Sequence, residues 1–223
     1  MLGLQYVENA VLPPESACCS IEDRTIEYKS LRSCSLNKSD KNYIEKPLVD
    51  RLGKFLIGCM NASFNGTISF GVCDDIEDME QTHGSVKGIK IPKDKRAVII
   101  GIVEKHFMHR NPQQFQNTSP AELSAIQRCL KPPVFIPVTR VNDGQDDYVV
   151  IEFDVNPESE ICGSNIFSLQ VPKPGAQKNQ TEKIYYLRLG TSSYKWEERY
   201  YKELQKRVED GRRLRKVSQV LYL

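Results

Sequence analysis

Apolar residues recur at helical spacing through the first third of the chain. Leu48, Leu52, Phe55, Leu56 and Cys59 fall on one stripe, with Arg51 and Lys54 off it. This predicts a helix starting near 40–45 and running to about 62, with Pro47 tolerable only in its first turn. Before it, residues 25–29 (Thr-Ile-Glu-Tyr-Lys) alternate as a short strand, which sets Glu27 and Lys29 on one face and Ile26 and Tyr28 on the other. After it, Asn65-Gly66 signals a turn into a strand over 67–72. Residues 86–91 read as the returning strand of that hairpin, which leaves Asp74 at a strand end. A helix is expected over 93–108, a loop over 111–120 and a short helix over 121–130. Strands follow at 134–141, 148–155, 167–171 and 184–189. Gly190-Thr-Ser-Ser193 is expected to cap a last helix over 194–217, carrying Trp196, Tyr200, Leu204, Val208 and Leu214. The sum is an α+β fold with a mostly antiparallel or mixed sheet and flanking helices. Residues 1–20, with Pro13-Pro14, read as an extended arm, 21–193 as the folded domain and 194–223 as a basic C-terminal helix.

Composition narrows the class. The chain has 223 residues, 39% hydrophobic and 27% charged, enough for a real core. No apolar run reaches the roughly 18 residues that span a bilayer, so no membrane partner is expected. The start, Met-Leu-Gly-Leu-Gln-Tyr, lacks the features of a secretion signal. The seven cysteines form no Cys-x-x-Cys pair, so no local zinc site is indicated, and Cys59 and Cys73 read as buried thiols. A reducing, cytoplasmic setting is the expectation, in which the five Asn-x-Ser/Thr sequons, Asn61 among them, are chance. Net charge is only +2, so nucleic-acid binding would have to come from local patches such as Lys38/Lys41, Lys46/Arg51/Lys54 or the basic C-terminal helix.

Three acids frame the candidate chemistry. Glu22 and Glu27 lie in one stretch and Asp74 follows the second strand, with basic residues between. Carboxylates beside Lys and Arg suit a hard divalent cation, Mg²⁺ or Mn²⁺, acting on a phosphodiester. Solvated surface acids are the alternative. Lys29 could neutralise a scissile phosphate or orient Glu27, or simply compensate charge. Asp75, Glu77 and Asp78 form an acidic loop beside Asp74, and Asp75 is a substitute ligand if the turn shifts by one. The histidines, 83, 106 and 109, have no spacing that suggests acid–base work. Phosphate contacts are expected from Lys29, Lys54, Lys87 and Arg188, the last at the N-terminus of the following helix or else in a strand-end salt bridge.

Three segments carry a family resemblance. They are Glu22-x4-Glu27-Tyr-Lys29, then Cys59-Met-Asn-Ala-Ser-Phe-Asn-Gly-Thr-Ile-Ser-Phe-Gly-Val-x-Asp74 with His83-Gly-x-Val-x-Gly-Ile after it, and Tyr186-Leu-Arg188-Leu-Gly190-Thr-Ser-Ser193. Together they resemble the Schlafen-type divergent AlbA domain, most closely as it occurs in the sterile-alpha-motif-domain-containing protein 9 and 9-like family. The resemblance implies a Schlafen/AlbA-like mixed sheet and an endoribonuclease acting on tRNA or similarly folded RNA. It implies Glu22, Glu27 and Asp74 as catalytic, metal-binding acids. It implies duplex nucleic acid, DNA included, bound through Lys29, Lys54 and a position near Lys46, where Pro47 disturbs the register. Antiviral or translation-restricting proteins with further domains are the implied context. Two departures stand out. Glu22 is present where sterile-alpha-motif members lack the first acid, and one lobe is present where Schlafen cores have two. Pairing of two chains is the expected substitute for the missing lobe. A non-catalytic duplex-binding module remains the other reading.

Overall fold

The computed structural model describes residues 6–12, 24–31, 33–74, 82–110, 112–115, 118–140, 147–158, 162, 165–172, 175, 181–189 and 192–221. In chain order the elements are β1 (Tyr6–Val7), β2 (Arg24–Lys29), α1 (Glu45–Ala62), β3 (Asn65–Phe70) and β4 (Ile89–Lys90). A turn at Lys93–Lys95 leads into α2 (Arg96–Val103), which continues as a π-helical turn over Glu104–Met108. Then come α3 (Pro120–Cys129), β5 (Val134–Thr139), β6 (Tyr148–Val155), β7 (Leu169–Pro172), β8 (Thr181–Leu189), β9 (Ser192–Glu197) and α4 (Tyr201–Leu221).

The fold is α+β, as the periodicity predicts. One sheet runs β1-β5-β6-β3-β2, with β4 also paired to β6. Two pairings, β1 with β5 and β2 with β3, are parallel, and the rest of that sheet is antiparallel. A second, antiparallel sheet runs β7-β8-β9. Helix α1 lies between the two sheets. Its apolar stripe, Leu48, Leu52, Phe55, Leu56 and Cys59, is fully buried. On one side it meets Ile68 and Phe70 of β3, and the Phe70 ring abuts Phe153 of β6 edge-on, centroids 5.8 Å apart. On the other side Gly58 lets β8 approach, since a Cβ there would stand 3.5 Å from Arg188 Cβ and 3.1 Å from Ser193 Oγ. Asn61 pins the second sheet to the helix. Its amide donates to the carbonyls of Phe167 (2.9 Å) and Tyr186 (2.8 Å) and accepts from the Phe167 N–H (2.7 Å). The sequon at Asn61 is therefore spent on buried hydrogen bonds, which satisfy an amide that would be costly to leave unpaired.

Helix ends follow their chemistry. Pro47 sits in the first turn of α1, and Ser63 closes it in the left-handed region at φ 53°, its N–H reaching Met60 O at 3.2 Å. Helix α3 begins with a capping box, Ser119 with Glu122, and Pro120 in its first turn.

The structure corrects four local expectations. Asn65-Gly66 is not a turn: both residues belong to β3. Glycine is required at 66 because a Cβ would come within 2.7 Å of Phe55 Cζ and 2.9 Å of Cys59 Sγ. Residues 86–91 do not return along β3. Val86 makes one bridge to Val72, and Ile89–Lys90 pairs with β6, because β3 already has β2 and β6 as neighbours. Part of the expected N-terminal arm is sheet: Tyr6 and Val7 pair with Val138 and Thr139, and Val11 bridges Ser85. The last helix starts at Tyr201, not 194, since Ser192–Glu197 is strand β9 and Trp196 lies on it. Leu204 and Val208 of α4 are buried against Ala62, Tyr185 and Leu187. Among the described residues Cys59 and Cys73 are buried thiols, and burial pushes the Cys59 thiol up to about 12. No helix among the described residues is long and apolar enough to cross a membrane.

Candidate active site and nucleic-acid interface

The site forms at the outer edge of the first sheet, where β2 is the terminal strand. Strand alternation puts Thr25, Glu27 and Lys29 on the same face as their β3 partners Gly66, Ile68 and Phe70. That face is the one α1 covers. Tyr28 turns to the opposite face, buried with Val72, Val86 and Val150. The parallel register sets Lys29 beside Phe70, so the chain leaving β3 carries Asp74 back to the end of β2.

There Lys29 Nζ donates to Asp74 Oδ2 at 2.7 Å and lies 3.4 Å from Glu27 Oε1. The Ser30 N–H donates to Asp74 Oδ1 at 3.0 Å, so both Asp74 oxygens are held. The Lys29, Glu27 and Asp74 side chains keep 22%, 15% and 11% exposure, enough to meet a ligand from solvent while standing in a lowered dielectric. Burial lowers the Lys29 pKa, but the Glu27 and Asp74 carboxylates outweigh it and hold the ammonium above the ordinary lysine value. Lys29 is therefore charged throughout the neutral range, a donor and not a base.

Arg188 closes the cluster from beneath. Fully buried, it reaches across from β8 and pairs through Nη1 with Glu27 Oε2. Its Nε donates to Thr25 Oγ1 at 2.7 Å, Nη2 to the Ile26 carbonyl at 3.1 Å and Nη1 also to Ser193 Oγ at 3.3 Å. Its guanidinium lies 4.8 Å from the centroid of the Phe55 ring. The expected phosphate contact at a helix N-terminus does not hold: the residues after Arg188 form β9, and the guanidinium faces inward. The salt-bridge alternative is the one observed.

The other sequence candidates separate. Glu22, Asp75, Glu77 and Asp78 lie outside the described residues. Lys54 is exposed on α1. Lys46 is exposed and paired to Asp50 at 2.8 Å, one turn along the same helix. Lys87 donates to Asn9 Oδ1 at 2.6 Å, which ties the β4 loop to the N-terminal segment. His83, which the sequence leaves without a role, stands beside the cluster. Its Nδ1 lies 3.3 Å from the Asp74 carbonyl, and its ring centroid 6.0 Å from that of Tyr28. Only its place in the His83-Gly84 turn, nine residues after Asp74, pointed there.

Two carboxylate oxygens, Glu27 Oε1 and Asp74 Oδ2, thus converge on one cationic point. Hard oxygen donors aimed at a shared cation are what Mg²⁺ or Mn²⁺ takes, often with only one or two protein carboxylates. The donor chemistry fits such an ion, provided the Lys29 ammonium gives up that position. Among the described residues no group of three or more His, Cys, Asp and Glu gathers in the geometry of a metal site.

Comparison with known proteins gives a consistent relationship. No family model matches the sequence. Sterile alpha motif domain-containing protein 9-like of Homo sapiens is 29% identical over 191 residues, and its Mus musculus counterpart 27% identical over 192. Sterile alpha motif domain-containing protein 9 of Homo sapiens is 26% identical over 195 residues. Each match covers 85% of this chain but only 11% of the relative, so most of each relative lies outside the matched segment. Over most of its length, the chain is similar to one segment of the sterile alpha motif domain-containing protein 9 and 9-like proteins.

Proposed function

We propose that this chain is an endoribonuclease domain acting on tRNA or similarly folded RNA, with the cluster of Glu27, Lys29 and Asp74 as its working centre. One observation carries the reading: the Lys29 ammonium is shared between two carboxylates at a partly open sheet edge. Glu27 and Asp74, joined by Glu22 as the sequence implies, are the residues that would hold Mg²⁺ or Mn²⁺. Bound there, the ion would polarise a phosphoryl oxygen and lower the pKa of an attacking water.

The chain's own residues do the rest. Arg188 holds one oxygen of Glu27 and leaves the other directed at the cluster. The Ser30 N–H fixes Asp74 in the same way. Lys29, released from the carboxylates, donates to a phosphate oxygen, where a preorganised charge in a partly dry site is most effective. Lys54, exposed on α1, adds a backbone contact that carries affinity without sequence information. A cytoplasmic, antiviral or translation-restricting role within a larger protein is part of the same proposal.

Incubation with unfractionated tRNA tests it. Cleavage is expected with Mn²⁺, lost with chelator and lost in Asp74→Asn, with products free of 2′,3′-cyclic phosphate. Chelator-resistant cleavage leaving a cyclic phosphate would overturn the metal-water mechanism and direct attention to His83. Full activity in both Asp74→Asn and Glu27→Gln would sink the site.

A second reading is favoured by the charge balance. Among the described residues Glu27 and Asp74 face Lys29 and Arg188, two acids against two bases, with no surplus negative charge to attract a metal. On this reading the domain binds duplex nucleic acid without cutting it, and tRNA would be retained but intact.

A further inference from the structure

A pocket of about 350 Å³ lies between α3, the β7–β8 pair and the start of α4, and it shares no residue with the Glu27–Lys29–Asp74 cluster. Ile184 and Tyr186 of β8 turn into the main core, so alternation turns Lys183 and Tyr185 to the opposite face. Gln170 of β7 is the cross-strand partner of Lys183 and shares that face. Three donors therefore stand on one wall of the pocket: the Gln170 amide, the Lys183 ammonium and the Tyr185 hydroxyl. Glu122 of α3 and Glu198, just before α4, line the same pocket.

The fold leaves both kinds of group over. Gln170 and Tyr185 are only 8% and 6% exposed. The Gln170 carbonyl accepts from Thr181 Oγ1 at 3.1 Å, but its amide nitrogen has no acceptor among the described residues. The Tyr185 ring meets that of Tyr201, centroids 5.3 Å apart, while its hydroxyl has no hydrogen-bond partner among the described residues. Burial first, then the neighbouring Glu198, Tyr201 and Glu122, push that phenol up to about 12, so it stays a donor at neutral pH. Polar side chains this buried ordinarily find partners, so two unanswered donors in one pocket point to an acceptor brought from outside. On the acid side, Glu122 Oε2 takes the Ser119 N–H at 3.1 Å and O–H at 2.9 Å, which leaves Oε1 over. Glu198 is in no ion pair among the described residues. Ile126 and Phe167 add apolar surface, and Asn61 holds the Phe167 backbone in place, so that wall is formed in advance.

We propose that this pocket binds a free hydrophobic α-amino acid as its zwitterion, the ammonium at Glu122 and Glu198 and the carboxylate at Gln170, Lys183 and Tyr185. Its side chain packs on Ile126 and Phe167. A simple cation would answer the two acids and leave the Gln170 and Tyr185 donors unmet. A simple anion would answer the donors and face two carboxylates. An amino acid presents both charges at one carbon and answers both walls. The site is independent of the endoribonuclease reading, and neither requires the other.

Calorimetric titration of the full chain tests it with probes that share one side chain: L-leucine, isopentylamine, which lacks the carboxylate, and isocaproate, which lacks the ammonium. Leucine is expected to bind, and each truncated probe to bind at least about tenfold more weakly. Glu198→Gln and Lys183→Met change exposed side chains, which leaves the fold intact, and circular dichroism checks this. Each is expected to weaken leucine binding about tenfold. Lys206→Met, which removes an exposed charge farther along α4, should not. Failure of the wild-type chain to bind leucine overturns the proposal. Leucine binding unchanged in both Glu198→Gln and Lys183→Met overturns it by placing the ligand elsewhere, as does an equal loss in Lys206→Met. Isopentylamine bound as tightly as leucine would make this a cation pocket, and isocaproate bound as tightly an anion pocket; either overturns the zwitterion.

Discussion

Arg188 and Arg51 occupy opposite conditions within one site region. Arg188 is wholly buried and its guanidinium is held by a carboxylate, two hydroxyls, a backbone carbonyl and an aromatic ring. Arg51 lines an open groove, and one of its nitrogens is shut off from water with no partner among the described residues. Both read from sequence as candidates for contact with nucleic acid. The difference teaches that an arginine with its donors taken from several elements organises its neighbours, while one at a groove wall with a donor left over ties nothing together. Arg188 fixes Glu27; among the described residues no carboxylate pairs with Arg51.

The comparison can be broken first at Arg188. Arg188→Met should cost about 3–5 kcal/mol, because it strands Glu27 in a poorly hydrated place without its partner. Urea unfolding measures this. A loss under about 1 kcal/mol would mean that Glu27 finds Lys29 or water instead, and Arg188 would lose its standing as organiser.

Next comes Asp74→Asn, which keeps the shape and removes the charge. Cleavage should fall by about 10²–10³, the range for loss of one preorganised electrostatic group. Unfolding midpoints should move far less than in Arg188→Met, which separates a working residue from a supporting one. Equal stability losses in the two variants would erase that distinction.

A smaller effect distinguishes the cluster from the ion pair at the start of α1. Glu45 is held below the usual carboxylate range, first by its hydrogen bond from His106 at 2.7 Å and then by Lys105 at 2.7 Å. A depressed acid contributes stability that is complete above its unfolded pKa of about 4.3 and lost as pH falls through the folded value. Glu45→Gln should therefore cost up to about 1 kcal/mol at pH 7, with the gap closing in acid. The raised Lys29 has the opposite edge. Its contribution is complete below about pH 10.4 and is lost as pH rises through the folded value, so Lys29→Met should differ from wild type equally at pH 6 and 8. Stability titrations of the two variants check both edges.

The smallest effect belongs to Lys54. Lys54→Met should leave stability unchanged and lower the salt slope of RNA binding by about 0.7–0.9 if the residue touches a phosphate. An unchanged slope would place Lys54 outside the interface.

Much of this was written locally. The stripe Leu48-Leu52-Phe55-Leu56-Cys59 specifies α1, because a helix that buries one face must repeat near every 3.6 residues. The alternation of Ile26-Glu27-Tyr28-Lys29 specifies that Glu27 and Lys29 share a face, because strand side chains alternate strictly. Ser119-Pro120 with Glu122 specifies the start of α3.

What tertiary structure alone decided is which strands became neighbours. Asp74 reaches Lys29 only because β2 and β3 pair in parallel, a contact across 45 positions that no local pattern encodes. Gly66 looked like a turn residue, yet its glycine serves the close passage of Phe55 and Cys59 over β3. Gly190-Thr-Ser-Ser looked like a helix cap, but Ser193 to Trp196 had a strand edge of β8 to complete, and backbone pairing there prevailed over the local cap signal. Arg188 was carried inward with that hairpin, towards Glu27, 161 residues earlier in the chain. Local propensity sets the elements because it acts within a turn or two. The site depends on pairings between distant segments, and those are chosen by burial of the whole.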